Sequence, residues 1–342
     1  MRLLPIILTI VFLTVPLTNS RSAPPIQYEA IASGVIAAHK KGYGRFAGVA
    51  GRLQQAISGL CATFDKARLD AAHAAFHDTV DAWQTIEHIR SGPATQANLH
   101  LRINFWPDRR DRVGKHTRRL LAKKKPITSD SMSSRSVAVQ GLPALEYLLF
   151  TEELNQLKDK SKHCSAAQAI AANISEMASS LASRWRRETF AKASAKKISG
   201  AFFNNLVVGL QVVSDLKLGR PLGEKTGRVR PYLAENSSSH RALRNVAGNL
   251  ASLEQTYLAI AEGAGTAWSG TPKDKAIRAA FAAVVAEGKT LGRSLGDLVK
   301  SADGREKIKR VIEIVRALRL HIVLEMAKPL GLTVGFNSFD GD

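Results

Sequence analysis

The chain has 342 residues and a formal net charge of +20, because 49 lysines and arginines outnumber 29 aspartates and glutamates. Its length predicts two domains, and its composition is that of an ordinary globular protein with a large core. We exclude a nucleic-acid partner, since the basic residues are spread over many predicted helices without interleaved aromatic residues, and the charge favours association with an anionic envelope surface instead.

The first 23 residues have the pattern of a cleavable secretory signal. Arg2 precedes an apolar run at 3–17, and small residues follow up to Ala23. About 15 apolar residues are too few for a membrane span, which needs roughly 20, and no cysteine follows that could accept a lipid. We expect cleavage between Ser20 and Ala23 and no transmembrane span in the mature chain.

Only two cysteines occur, Cys61 and Cys164, and both follow the leader. In an oxidising compartment an even pair most simply forms one disulfide. Neither cysteine has a neighbour at the spacing of a zinc or iron–sulfur site, so we exclude both kinds of site.

The rest of the chain has no alternating strand pattern, and apolar residues recur every three or four positions. This periodicity predicts an all-α protein of two packed helical bundles. A stretch of small polar residues near 193–200 predicts the boundary between domains at 24–195 and 196–342. The predicted helices are 26–39, 45–61, 69–90, 111–123, 136–153, 166–187, 200–216, 238–261, 273–299 and 306–328.

The third predicted helix carries His73 and His77 at i,i+4, beside its apolar stripe. This spacing places both imidazoles on one face, where they can bind a metal. The zinc-protease pattern is absent, because Ala74 follows His73 where that pattern requires glutamate. Metal ligands and plain polar histidines at a surface or helix interface are both open interpretations.

After a helix stop at 91–93, the chain carries Arg102 and then Trp106, Pro107 and Asp108. The residue before a proline favours an extended backbone, so we expect Trp106 to anchor a fixed turn.

The segment 136–150, SVAVQGLPALEYLLF, places Glu146 among leucines. A buried carboxylate without a partner is costly, so Glu146 needs a cation, a proton or hydrogen-bond donors. Arg102 is the first candidate cation, with Asp108 in the same polar cluster. We expect Pro143 in the first turn of the helix, where its missing N–H costs nothing. The alternative is a core helix with one buried ion pair.

The second half offers no catalytic motif. Gly219 and Gly223 bracket a turn but lack the strand and the lysine of a phosphate loop. The serines at 237–239 predict an N-cap for the next helix. The last residues, GLTVGFNSFDGD, include Asn337 and Asp340 and predict either a docked tail or polar lining of an interdomain cleft.

Three motifs resemble the imelysin-like family. The family hallmark Gly-x-His-x-x-Glu is matched by Gly141 and Glu146, with Pro143 at the histidine position. The stretch Arg102 to Asp108 and the ending GFNSFDGD are similar to further family motifs. The resemblance implies two helical bundles, a cleft near the hallmark, and a periplasmic role connected with iron or another metal.

Pro143 cannot ligate a metal through its side chain, whereas catalytic zinc needs about three protein ligands. We therefore expect a non-catalytic periplasmic binding protein, linked to iron or metal uptake or to an envelope redox pathway. Its ligand is iron, another divalent metal or a periplasmic protein partner. The alternatives are a metal-dependent peptidase and a scaffold without a ligand. The candidate cleft residues are Arg102, Trp106, Asp108, Glu146, Asn337 and Asp340, and the candidate metal ligands are Glu146, His73 and His77.

Overall fold

A computed structural model describes residues 25–123, 127–151, 160–187, 194–292 and 294–335. These residues form helices and connecting turns, and no strand occurs among them. The all-α prediction is therefore confirmed. None of the helices in these ranges is both long and apolar enough to cross a membrane.

The helices are numbered here in chain order. Short 3₁₀ turns and one π-helix, Val212–Leu218, connect some of them. The α-helices are α1 (Tyr28–Ala62), α2 (Lys66–Gln84), α3 (Leu99–Ile103), α4 (Arg112–Leu121), α5 (Ser129–Met132), α6 (Leu142–Phe150), α7 (Ser161–Arg186), α8 (Ala195–Gln211), α9 (Gly219–Leu222), α10 (Ala242–Gly263), α11 (Pro272–Lys289), α12 (Leu295–Leu298) and α13 (Ala302–Met326).

One long helix, α1, replaces the two helices predicted at 26–39 and 45–61. The gap between the two predicted helices contains Gly42 and Gly44, and a glycine costs a helix interior up to about 1 kcal/mol. Burial of Tyr43 and Phe46 favours continuity. A side chain at Gly42 would place its Cβ 2.7 Å from Cγ2 of Ile86, so the glycine permits close packing of the following segment.

Helix α1 contacts both halves of the chain. It packs on α2 and α7 from the first half and on α8 and α10 from the second. One cluster of buried hydrophobic side chains runs through all of these helices. The boundary near 195 stays a prediction, and part of it lies outside the described residues.

The predicted disulfide is confirmed. Cys61, near the end of α1, is bonded to Cys164, near the start of α7, with their Cα atoms 5.4 Å apart. The bond spans a sequence separation of 103 residues. For a loop of this size the chain-entropy model gives up to about 4.7 kcal/mol of stabilisation.

Two predicted helices end earlier or change form. The helix predicted at 273–299 ends at Lys289, and Gly292 has a positive φ of 74° before the short helix α12. The helix predicted at 200–216 begins at Ala195 and continues from Gln211 into the π-helix.

The predicted signal at 1–23 and the tail residues Asn337 and Asp340 lie outside the described residues.

Candidate functional site

Helix α6 carries Glu146, the glutamate of the Gly-x-His-x-x-Glu motif. The way in which this helix begins accounts for the glycine and the proline that precede the glutamate in the motif. Pro143 lies in the first turn of α6, as predicted. A Cβ on Gly141 would lie 2.1 Å from the carbonyl oxygen of Ile103 and 2.3 Å from that of Arg102. Only glycine allows this contact between the backbone at the start of α6 and the end of α3. Gly141 therefore fixes where α6, and with it Glu146, begins.

Glu146 is 6 % exposed and receives hydrogen bonds from the second half of the chain. Nδ2 of Asn236 donates to its Oε2 at 2.8 Å, and the backbone N–H and hydroxyl of Ser239 donate to its Oε1 at 2.9 and 2.6 Å. Burial raises the pKa of Glu146, while these hydrogen bonds act in the opposite direction. Uncharged donors thus hold this carboxyl group.

This arrangement corrects two predictions. Arg102 does not neutralise Glu146, because its Nε donates to Oε1 of Gln140 at 2.6 Å. Ser239 does not cap the following helix, because α10 begins at Ala242 after Arg241. Its N–H and hydroxyl instead satisfy Glu146.

A second buried charge, Lys217, lies on the π-helix and is 2 % exposed. Its ammonium group donates to Oε1 of Gln84 at 2.7 Å, to Oε2 of Glu235 at 2.8 Å and to Oε1 of Glu87. The ring of Trp106 lies 5.7 Å from the same nitrogen. All three N–H bonds of the ammonium group are therefore used, and the predicted anchor Trp106 covers it.

Amide side chains complete this arrangement, which we call the Lys217 cluster: Gln84, Glu87, Asn104, Lys217, Glu235, Asn245 and Asn249. Asn104 and Asn245 each donate to Glu235 at 2.8 Å. Asn249 donates to the side-chain oxygen of Gln84 at 3.0 Å. The cluster joins α2 and the end of α3 to the π-helix and α10, so polar contacts cross the middle of the molecule.

The two carboxyl groups of the cluster differ in their proton affinity. Burial raises the pKa of Glu87, and the lowering effect of Lys217 does not overcome it. Burial also disfavours the charged form of Glu235, but Lys217 and the donors Asn104 and Asn245 bring its pKa below the usual value. Burial opposes the charge of Lys217, but both carboxylates raise its pKa, so the lysine is cationic.

A cleft of about 140 Å³ opens beside Glu146 and the Lys217 cluster. It brings together four predicted site residues, Trp106, Asp108, Pro143 and Glu146. Four carboxylate residues line it, and no lysine or arginine is among its described lining residues. We call it the acidic cleft; its carboxylates are Asp108, Asp111, Glu146 and Glu235.

Three of these carboxylates have partners beside the cleft. Asp108 accepts from the backbone N–H groups of Arg112 and Val113 at 2.9 and 2.7 Å and so fixes the start of α4. Asp111 forms an exposed ion pair with Arg118 at 3.2 Å. Glu235 belongs to the Lys217 cluster and pairs with Lys217 at 2.8 Å. Among these four, Asp111 and Glu235 pair with a cation, whereas Glu146 and Asp108 accept hydrogen bonds from uncharged donors in the described part of the chain.

His73 and His77 do not line the acidic cleft. Nε2 of His73 lies 2.9 Å from the backbone oxygen of Leu149, and its ring stacks on Phe150 with 4.2 Å between centroids. Burial lowers the pKa of His77 to about 4. Within the described ranges, no three histidine, cysteine, aspartate or glutamate residues are arranged to hold a metal. The ligand set Glu146, His73 and His77 is therefore not assembled.

Sequence reasoning missed the Lys217 cluster. One member of the cluster could have been recognised from the sequence, because Lys217 is the single lysine in the largely apolar stretch 206–218, LVVGLQVVSDLKL. The argument that selected Glu146, an expensive charge among apolar residues, applies equally to Lys217.

These observations define an all-helical protein in which a buried charge cluster and an acidic cleft lie where its two halves meet. A family model described as imelysin, peptidase family M75, matches residues 40–321. The chain belongs to the imelysin family.

Solved structures share the fold. An imelysin-like protein from Psychrobacter arcticum superimposes with a TM-score of 0.78 over 92 % of this chain and 100 % of its own, at 18 % identity. A Parabacteroides distasonis protein described as an iron-regulated protein A precursor gives a TM-score of 0.63 over 91 % and 95 %, at 14 % identity. No curated protein matches the chain.

Proposed function

We propose that the protein is a non-catalytic periplasmic binding protein of the imelysin type, whose cationic ligand enters the acidic cleft. The ligand is iron or another metal cation, free or as a complex, and the protein serves metal uptake or an envelope redox pathway. One observation carries the proposal. In a chain of net charge +20, the described lining of this cleft contains four carboxylate residues and no lysine or arginine.

Glu146 is the centre of this proposed site. Its three hydrogen bonds come from Asn236 and Ser239, so no direct ion pair offsets its charge. Two unit charges 4 Å apart attract by about 4 kcal/mol at an effective dielectric constant of about 20. A cation in the cleft gains part of this energy and also lowers the pKa of Glu146, which burial raises.

The residues of the motif do not fit a resident catalytic metal. Pro143 offers no donor atom at the histidine position, Glu146 already accepts three hydrogen bonds, and Asp108 holds the start of α4. A catalytic zinc site needs about three protein ligands and an open position. We therefore favour a bound cargo over a metallopeptidase mechanism and derive no catalytic step.

Ligand binding and thermal unfolding of the mature protein test the proposal. The probes are the cations Fe(II), Fe(III), Zn(II), Cu(II) and Ca(II), and haem, which is too large for the cleft, is the comparison. A ligand at 100 times its Kd stabilises the folded state by about 2.7 kcal/mol. We expect such a shift with at least one cation, and at least tenfold weaker binding by Glu146→Gln. The proposal fails if no probe binds, or if the variant binds as tightly as the wild type.

A matched control separates binding from stability. Asp274 is also buried and accepts hydrogen bonds from the hydroxyl of Tyr257 at 2.7 Å and the N–H of Gly270 at 2.8 Å, but it does not line the cleft. Asp274→Asn should destabilise the protein and leave cation affinity unchanged.

Two further assays address the compartment and the alternative function. Mass spectrometry of protein from the periplasmic fraction should give an N-terminus within 21–24. The peptidase alternative instead requires chelator-sensitive cleavage of a peptide panel by purified protein, and that result would replace the binding proposal.

A further inference from the structure

A second cavity, of about 640 Å³, lies against α10 and the end of α11. Its volume is in the range of small-molecule sites. Most of its wall is apolar, with side chains from both helices and from the turn after α11. Neither Glu146 nor any other carboxylate residue is among its described lining residues. We call it the apolar cavity; its aliphatic wall includes Leu243, Val246, Leu250, Val285 and Leu291.

Cationic side chains line the same cavity. Arg241 and Arg244 both pair with Asp81, which leaves a net charge of +1 on these three residues. Lys289 makes no ion pair with any described residue and adds a further positive charge. It lies in the last turn of α11, where the carbonyl end of the helix favours a cation. The side chain of Arg244 is 64 % exposed, so its charge is accessible to a ligand head group.

His77 also lines the cavity. Its Nδ1 is buried and has no hydrogen-bond partner among the described residues. A buried polar atom without a partner calls for an explanation such as a bound water or ligand. Because this nitrogen is inaccessible from the cavity, the head group of a ligand there would meet the cationic side chains and not Nδ1 of His77.

From the aliphatic wall and the cations that border it, we propose that the apolar cavity binds an amphipathic anion, a long-chain carboxylate whose tail packs on α10 and α11. The carboxylate pairs with Lys289 and Arg244. Charge complementarity selects this ligand over a neutral or cationic amphiphile. The site is separate from the acidic cleft, so either proposal can fail without the other.

Calorimetric titration with single-chain probes below their micelle concentrations tests the proposal. Dodecanoate should bind, whereas dodecylamine, dodecanol and acetate should bind at least tenfold more weakly. Each methylene between the C8 and C12 carboxylates should add about fourfold in affinity, since a buried CH₂ contributes about 0.8 kcal/mol. Equal binding of the amine or the alcohol, or no binding of dodecanoate, would overturn the proposal.

Two variants locate the site. Ala251 is exposed on α10 and lines the cavity, so Ala251→Trp should occupy part of it and weaken dodecanoate binding at least tenfold. Ala279→Trp is the matched control, because Ala279 is exposed on α11 outside the cavity lining. Lys289→Gln should weaken dodecanoate about tenfold and leave the weak binding of dodecanol unchanged. If Ala251→Trp binds dodecanoate as the control does, the site is misplaced.

Discussion

Removal of the Lys217 ammonium group is the sharpest test of the buried charge cluster. Lys217→Met keeps a side chain of similar length and leaves Glu87 and Glu235 without their shared cation. Removing one partner from a buried ion pair costs about 3–5 kcal/mol, because the remaining charge stays uncompensated. We expect a loss of this size in the free energy of unfolding at pH 7, measured by urea denaturation followed by circular dichroism.

The stability lost in Lys217→Met should decrease as the pH falls. The direction of this change follows from the linkage between proton binding and folding. Burial raises and Lys217 lowers the pKa of both carboxyl groups, so removal of Lys217 should raise both pKa values relative to the wild type. The folded variant should then bind more protons than the folded wild type as the pH falls. Its stability relative to the wild type therefore rises as pH falls, by up to about 1.4 kcal/mol per pH unit for each protonated carboxyl.

Two comparisons make this test specific. Adding Glu87→Gln and Glu235→Gln to Lys217→Met should recover much of the loss, because neutral amides replace the unpaired charges. Lys273→Met removes a partly exposed pair, Lys273 with Glu325 at 2.7 Å, and should cost at most about 1 kcal/mol. If Lys217→Met costs no more than this control and its penalty is the same at pH 5 and pH 7, the cluster does not stabilise the fold as argued.

Two further predictions concern the backbone contact below Glu146 and the buried histidines. Gly141→Ala should destabilise the protein by about 1–3 kcal/mol in urea denaturation, because its Cβ meets two backbone carbonyls, whereas Gly200→Ala, with open space around it, should not. Burial lowers the pKa of His39 to about 4, so it stays neutral in the fold while the unfolded chain binds protons below about pH 6.5. Stability should therefore fall by about 2 kcal/mol per such histidine from pH 7 to pH 5, and a slope unchanged in His39→Gln would contradict this.

The local features of the fold could be predicted from sequence. Apolar spacing gave the helical class, Pro143 gave the first turn of α6, and two cysteines allowed one intramolecular pairing. The joining of two predicted helices into α1 could not be predicted, because the packing of Tyr43 and Phe46 outweighs local glycine propensity. Helix propensity is a weak guide wherever tertiary burial opposes it.

The residues that contact the buried charges could not be predicted from the sequence either, because they are far away along the chain. The position of Glu146 among leucines predicts that it needs a cation, a proton or donors, but it does not identify the donors, Asn236 and Ser239, which are about 90 positions away. Small polar residues in a loop have many local uses, and the position of Ser239 before a helix favours a helix cap over a distant partner. Lys217 contacts Glu87 across 130 positions, and nothing in either segment specifies that pairing.

Pro143 provides the most direct link between the motif and the acidic cleft. It lines the cleft with Glu146, three positions along α6, a spacing that places both side chains on one helical face. Pro143→His would add an imidazole donor beside the Glu146 carboxylate. The substitution should lower stability by about 0.4–1 kcal/mol, because the unfolded chain gains freedom.

If the other carboxylates of the cleft are placed to complete a metal site, Pro143→His should bind Zn(II) at least tenfold more tightly than the wild type in calorimetry. Pro143→Gln, which adds no imidazole, is the control for the change in stability. If the Zn(II) affinity increases in Pro143→His but not in Pro143→Gln, this chain lacks one ligand of a metal site whose remaining groups are in place. Equal affinity in all three proteins would mean that Glu146 is held by Asn236 and Ser239 too firmly to ligate, so a cation would then bind through the charge of the cleft alone.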